Sequence, residues 1–150
     1  MSCFTTGVTV VTAHTQGQDW GMTCNSFNTV SLDPAMVLWS VRKTSLSHEA
    51  FVNAGGYMVN VLGAQQKDVA LKFAQGTQAE RFADQSLVRG LNQHPRLESV
   101  IAWFDCRIAQ VVSAGDHDIL IGEVLDFGVH AGHGLAYAQR SFGVLAPMED

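Results

Sequence analysis

The chain has 150 residues, enough for one domain that buries roughly 70% of its unfolded surface. With 47% apolar and 15% charged residues it is core-rich rather than disordered, and a net charge of −5 with nine scattered Lys and Arg argues against a nucleic-acid surface. No apolar run approaches ~18 residues, so no membrane-spanning helix is expected, and the start Met1-Ser2-Cys3-Phe4-Thr5 lacks a secretory signal, so a cytoplasmic location is expected.

Residues 7–13 are β-branched and short, hence a strand. After a turn at 16–19 the chain resumes in extended form over 20–30. Asp33-Pro34 punctuates, and residues 35–41 are apolar on both alternating faces, as in a strand covered from both sides. After Thr44-Ser45 the pattern turns helical, with Leu46, Ala50 and Phe51 on one side and Gly55-Gly56 as the stop. Residues 57–62 form another strand. Residues 65–75 read as a helix with Val69, Ala70, Phe73 and Ala74 inward, ended by Gly76. The polar stretch 77–97, with Gly90 and Pro95, reads as loops. Residues 100–112 and 119–129 then form the arms of one β-hairpin, and a last strand runs over 135–145. Six or seven strands with antiparallel-type connections and short helices indicate a β-barrel with helical plugs in a single domain, 1–150.

Three cysteines (Cys3, Cys24, Cys106) suit a reducing compartment and form neither a disulfide framework nor a CxxC metal site. Cys106 alternates with Phe104 and Ile108, as a small buried hydrophobe would. His130 and His133 are closely spaced but lie in a Gly-rich loop without a third ligand, so no metal site is expected. The glycines never form GxGxxG after a strand, and GxxxxGK is missing. Any nucleotide must be held by other means.

Three segments carry candidate chemistry. The hairpin tip, Ser113-Ala114-Gly115-Asp116-His117-Asp118, sets a histidine between two aspartates. Neighbouring carboxylates favour a charged imidazole, although the same residues also suit a solvated turn. Arg42-Lys43-Thr44-Ser45 joins a buried strand to a helix start, where open N–H groups bind phosphate. It reads equally as a plain cap with solvated cations. In Gly21-Met-Thr-Cys-Asn-Ser-Phe27, the polar Thr23, Asn25 and Ser26 interrupt a strand and need partners if buried. A flat heteroaromatic ring with carbonyl and imide edges would supply them; so would a polar bulge at a barrel rim. A phosphate site and a ring-edge site together are what a flavin nucleotide requires.

On these segments the chain resembles the flavin reductase-like family, the NAD(P)H:flavin oxidoreductases of two-component monooxygenases. The matching residues are Phe4-Thr-Thr-Gly-Val-Thr-Val-Val-Thr12, Gly21–Phe27, Val30-Ser-Leu-Asp-Pro34 and Trp39-Ser-Val-Arg-Lys-Thr-Ser45. They continue with Val59-Asn-Val-Leu62, Gly115-Asp116-His117 and Ile121-Gly-Glu-Val124. The resemblance implies a mainly β fold: a six-stranded antiparallel Greek-key split β-barrel (the FMN-binding split barrel) with short flanking helices. It also implies a homodimer with flavin in a groove near the subunit interface. Thr23, Asn25 and Ser26 would line the isoalloxazine, with Cys24 where a small aliphatic residue is common. Ser40 and Val41 would lie near the ribityl chain, and Lys43, Thr44 and Ser45 near the phosphate. The helix carrying Phe73 would adjoin the flavin. His117 would attend the nicotinamide nucleotide, its imidazole oriented by Asp116. Members often carry an N-terminal helix with an arginine ahead of the Phe-Thr-Thr-Gly segment; here only Met1-Ser2-Cys3 precede it.

The expected activity is hydride transfer from NADH or NADPH to FMN or FAD, with reduced flavin passed to a partner monooxygenase. The competing reading is a non-catalytic FMN carrier of the same fold, for which the Gly115-Asp116-His117 tip has no use. A pyridoxine phosphate-type oxidase would need basic phosphate ligands that have no match here, and a barrel without ligand is the remaining alternative.

Overall fold

The computed structural model describes residues 2–150. In chain order, β1 (Thr6–Gly7), β2 (Thr9–Thr15), β3 (Gln18–Cys24), β4 (Asn28–Leu32) and β5 (Ala35–Arg42) precede helix α1 (His48–Asn53). Then come β6 (Gly56–Val61), α2 (Lys67–Lys72), α3 (Gln78–Phe82), β7 (Leu87–Arg89) and β8 (Pro95–Leu97). The long strands β9 (Ala102–Ala114) and β10 (His117–Val129) are followed by β11 (Leu135–Ala138) and β12 (Ser141–Val144). Among the described residues no helix is long and apolar enough to cross a membrane.

The mainly β expectation holds, but the barrel differs in two respects from the six-stranded one. The main antiparallel sheet has seven strands, in the order β3-β2-β6-β9-β10-β5-β4, and it is not closed. Both differences have one cause. The stretch 20–30 is not a single extended piece: the chain breaks after Cys24 and resumes at Asn28, so β3 and β4 become the two opposite edges of the sheet. Asn25-Ser26-Phe27 therefore spans the open seam.

The sheet curls around a core to which both of its ends contribute. Val11, Ala13, Val37, Trp39, Val41, Tyr57, Val59, Cys106 and Leu120 pack there with Phe51 of α1. The Phe51 ring meets Trp39 edge-on at 4.9 Å, so α1 acts as a plug. Full burial of such side chains contributes about 1.5–3 kcal/mol each, which is ample reason for the curl. A second core, with Val10, Leu62, Ala70, Phe73, Leu97 and Leu135, lies on the other side of the sheet and brings α2, β8 and β11 against it. Cys106 is the small buried hydrophobe expected; burial first, then the charge of Asp105, pushes its thiol up to about 12.

Other local expectations shift. Strand β5 is buried through Val37, Trp39 and Val41, whereas Met36, Leu38 and Ser40 on its other face are only half-buried. Helix α1 starts at His48 rather than directly after Ser45, and Leu46, expected on its inner side, is exposed because it precedes the helix. The 77–97 stretch contains α3 and the β7–β8 pair. The final strand is a hairpin, β11–β12, folded at Gln139-Arg140. In the long hairpin only Gly115 and Asp116 form the turn. Gly115 has φ +61°, which a two-residue turn of the II′ kind requires at its first position.

Candidate functional site

The seam segment is fastened on three sides. Thr23 N donates to Phe73 O at 3.1 Å, and its hydroxyl donates to Ala70 O at 2.5 Å. The Thr23 hydroxyl is thus spent on tying β3 to α2. Across the seam, Ser26 Oγ accepts the Ser40 N–H at 2.9 Å and donates to Ser40 O at 3.2 Å. It also lies 3.1 Å from Cys24 Sγ, which is buried. Asn25 is exposed, with its amide unengaged among the described residues. Upstream, Gly21 N donates to Gln78 Oε1 at 2.9 Å and Arg81 Nη1 donates to Gly21 O at 2.7 Å, so α3 clamps the start of the segment.

Strand register brings the second and third segments together. His117 is the partner of Arg42 and Ile119 the partner of Ser40, so these four share the outward face of β5 and β10. Val41 pairs with Asp118 on the inward face, where the Val41 side chain is fully buried. Val41 can offer a ligand only its backbone. Lys43 N donates to Asp116 O at 2.9 Å, and Lys43 Nζ donates to Ser113 Oγ at 2.6 Å. The turn after β5 is therefore fastened to the hairpin tip.

The two aspartates of the tip diverge. Asp116 Oδ1 lies 2.7 Å from His117 Nδ1, and this hydrogen bond, followed by the imidazole's charge, holds the exposed Asp116 carboxyl below its ordinary value. Asp118 instead meets His48 Nε2 at 2.6 Å from Oδ2. Successive strand residues face opposite ways, so Asp118 cannot serve the same imidazole as Asp116.

No helix cap forms at Thr44-Ser45. Ser45 Oγ accepts the Ser47 N–H at 3.2 Å, and Ser47 is the N-cap residue just before α1. The Ser47 hydroxyl in turn accepts from Gln78 Nε2 at 3.1 Å. An anion at this place would meet the turn and its cations rather than a helix end. Phe73 is fully buried in the second core, edge-on to Phe82 at 5.1 Å, so it backs the site from beneath instead of lining it.

A cleft of about 400 Å³ opens beside the seam segment. Thr23, Cys24 and Asn25 form one wall, Ala70, Leu71 and Ala74 of the α2 region another, and Tyr137, Arg140 and Phe142 of the C-terminal hairpin the third. Sequence reasoning missed Arg42 as the residue facing His117, the His48–Asp118 pair and the hairpin wall. Only the motif spacing around Arg42 carried a signal for any of these.

The donor set fits a flavin nucleotide. The cleft falls within the roughly 300–1,000 Å³ of small-molecule sites, mostly apolar with a few polar groups at one edge. Asn25 and the peptide groups of the seam would hold the ring edge, while Ser40 would serve the ribityl side and Arg42 with Lys43 to Ser45 the anionic tail from outside the cleft lining.

An open, curled antiparallel sheet with such a cleft at its seam defines a small, mainly β protein with room for a small-molecule ligand. Residues 1–146 match the flavin reductase like domain, and the chain belongs to that family. It is 44% identical over 140 residues to the reductase component of the flavin-dependent trigonelline monooxygenase of Acinetobacter baylyi, covering 93% of this chain and 45% of that protein. To the FMN reductase (NADH) SmoA of Agrobacterium fabrum it is 41% identical over 143 residues, covering 95% and 81%. Among solved structures, the NADH:FAD oxidoreductase SgcE6 of Streptomyces globisporus, in complex with NAD and FAD fragments, superposes with a TM-score of 0.92. That protein is 34% identical, over 99% of this chain and 90% of its own. The chain spans about half the length of several relatives it matches.

Proposed function

We propose that this chain is a single flavin-binding domain, 1–150, that reduces FMN or FAD with NADH or NADPH and passes reduced flavin to a monooxygenase. The observation that carries the reading is the register of β5 and β10. It sets His117 opposite Arg42 on one outward face, next to Ser40, which Ser26 ties to the ring-edge segment. An imidazole, a guanidinium and a polar seam thus converge without any dinucleotide-binding motif.

When bound, the flavin would supply the hydride acceptor and the nicotinamide nucleotide the hydride, so the redox chemistry would belong to the two nucleotides. The protein's own task is placement. Asn25 and the peptide groups of the seam meet the ring edge, and the clamps on Gly21 and Thr23 keep that edge from drifting. Arg42 and the turn 43–45 hold the phosphate, with Lys43 already anchored to Ser113. His117, oriented by Asp116, steadies the amide or pyrophosphate of the nucleotide; hydride transfer requires no side-chain acid.

Replacing His117 by Ala is expected to raise the KM for the nicotinamide nucleotide about tenfold while FMN affinity holds, since only one partner loses a contact. Steady-state NADH oxidation in air with added FMN, paired with flavin fluorescence titration, reads both quantities. Unchanged kinetics would remove His117 from the site, and FMN binding without any NADH or NADPH oxidation would make the protein a carrier.

A homodimer is supported by apolar side chains left on one face: Phe127 is 64% and Val129 74% exposed, and Phe127 stands opposite Phe104, which stacks on Phe27. Sedimentation at micromolar concentration decides it, and a monomer would refute it. The free thiols of Cys3, Cys24 and Cys106 suit a reducing, cytoplasmic compartment.

A further inference from the structure

The turn between β11 and β12 is unusual in composition. Gln139 and Arg140 are both left-handed, with φ of +50° and +63°, in a two-residue turn that ordinarily draws Asn and Gly. The surroundings hold it there. Tyr137 and Phe142 pack across the hairpin with ring centroids 5.1 Å apart, and Gln139 N donates to Ser2 O at 2.5 Å. Arg140 consequently lines the cleft opposite Thr23, Cys24 and Asn25, and among the described residues it is the only charged one in that lining. Among the described residues it forms no ion pair. A second cation, Lys67 Nζ, stands over the Phe142 ring at 5.9 Å from its centroid.

We propose that Arg140 is a flavin-contacting residue whose charge makes the cleft prefer reduced flavin over oxidised flavin. The inference rests on the reading that this cleft takes the flavin ring. A guanidinium is a permanent cation; Arg140 is exposed, so water screens it at a distance and its charge acts on a ring that lies directly against it. Hydride transfer brings one negative charge to the flavin and none to the protein. A fixed cation beside the ring therefore stabilises the product state more than the starting state, and the difference appears as a ratio of two affinities. With no carboxylate to neutralise it, Arg140 is placed to act on the flavin rather than on the fold.

The test is an anaerobic titration of the wild type, Arg140→Asn and Arg140→Lys with FMN and with dithionite-reduced FMN. Asn suits a left-handed turn, so that variant keeps the hairpin; thermal unfolding checks it. In Arg140→Asn, reduced FMN is expected to lose about tenfold more affinity than oxidised FMN, equivalent to about 30 mV for a two-electron couple. Arg140→Lys should keep the ratio within about threefold. Equal losses for both redox states, or no loss, would overturn the role of Arg140 while leaving the reductase reading intact. A wild type that binds neither form would sink both.

Discussion

Asp105 lies fully buried on β9, its Oδ2 accepting the Leu91 N–H at 2.8 Å and its Oδ1 without a donor among the described residues. Burial pushes its carboxyl up, the Leu91 N–H draws it partly back, and the charge of Asp126 pushes it up again. A carboxyl raised in the fold binds its proton more tightly there than in the unfolded chain. It therefore subtracts stability as pH rises from the unfolded value through the folded one. Asp105→Asn keeps an acceptor for Leu91 and removes the charge. It is expected to stabilise the protein at pH 8 by about 1–3 kcal/mol, the cost of an unsatisfied buried polar group. The gain should vanish towards pH 4, and Tm at the two pH values measures it. A lower Tm than wild type at pH 8 would mean that Asp105 has a partner outside this chain. At Gly21 a Cβ would stand 2.6 Å from Phe73 Cε1, so the buried phenylalanine sets how closely β3 approaches α2.

Among the elements, α3 has a role out of proportion to its five residues. Gln78 joins the two halves of the candidate site: Oε1 accepts from Gly21 N and Nε2 donates to Ser47 Oγ. The seam segment and the start of α1 are far apart in sequence, and this one amide fixes their separation. His48 adds a second tie, from α1 to Asp118 of β10. Replacing Gln78 by Ala leaves the buried Gly21 N–H and the buried Ser47 hydroxyl short of partners. A loss of about 1–3 kcal/mol is expected, together with weaker FMN binding at an unchanged fold. Urea unfolding and FMN titration report the two effects. A destabilised variant that binds FMN as well as wild type would show the seam to be positioned by β2 and α2 alone.

At the scale of the molecule, stability is linked to pH through groups remote from the cleft. His94 is buried with Nδ1 accepting the His14 N–H at 3.0 Å, and burial, then the charge of His14, pulls its imidazole below the ordinary value. The unfolded chain therefore takes the proton first. The contribution of His94 is whole above roughly pH 6.5 and is lost as pH falls from there to the folded value. Asp19 behaves as a depressed carboxyl. Burial draws it up, but the Arg89 fork at 2.6 and 2.8 Å and His14 at 2.7 Å outweigh burial, so its contribution is lost only below the ordinary carboxylate range. The unfolding free energy from urea titrations is expected to fall in two steps on acidification, each with a slope up to about 1.4 kcal/mol per pH unit. His94→Gln, which retains an acceptor for His14 N–H, should abolish the first step. A first step that survives in this variant would assign it to another histidine.

Local chemistry determined much of this protein in advance. The β-branched runs marked most of the strands, Gly115-Asp116 marked the long hairpin's turn, and the polar segments marked where side chains stay near the surface. Local patterns report which residues are buried and where a chain can turn, because those preferences depend on neighbours a few positions away. They do not report which strand edges meet. That β3 and β4 end on opposite edges, that Phe73 turns into the core, and that Gln139-Arg140 folds without an Asn-Gly signal were decided by packing between segments distant in the chain. So were the reach of Gln78 to both Gly21 and Ser47 and the placing of Arg140 in the cleft wall, since contacts of that kind exist only once the sheet has curled.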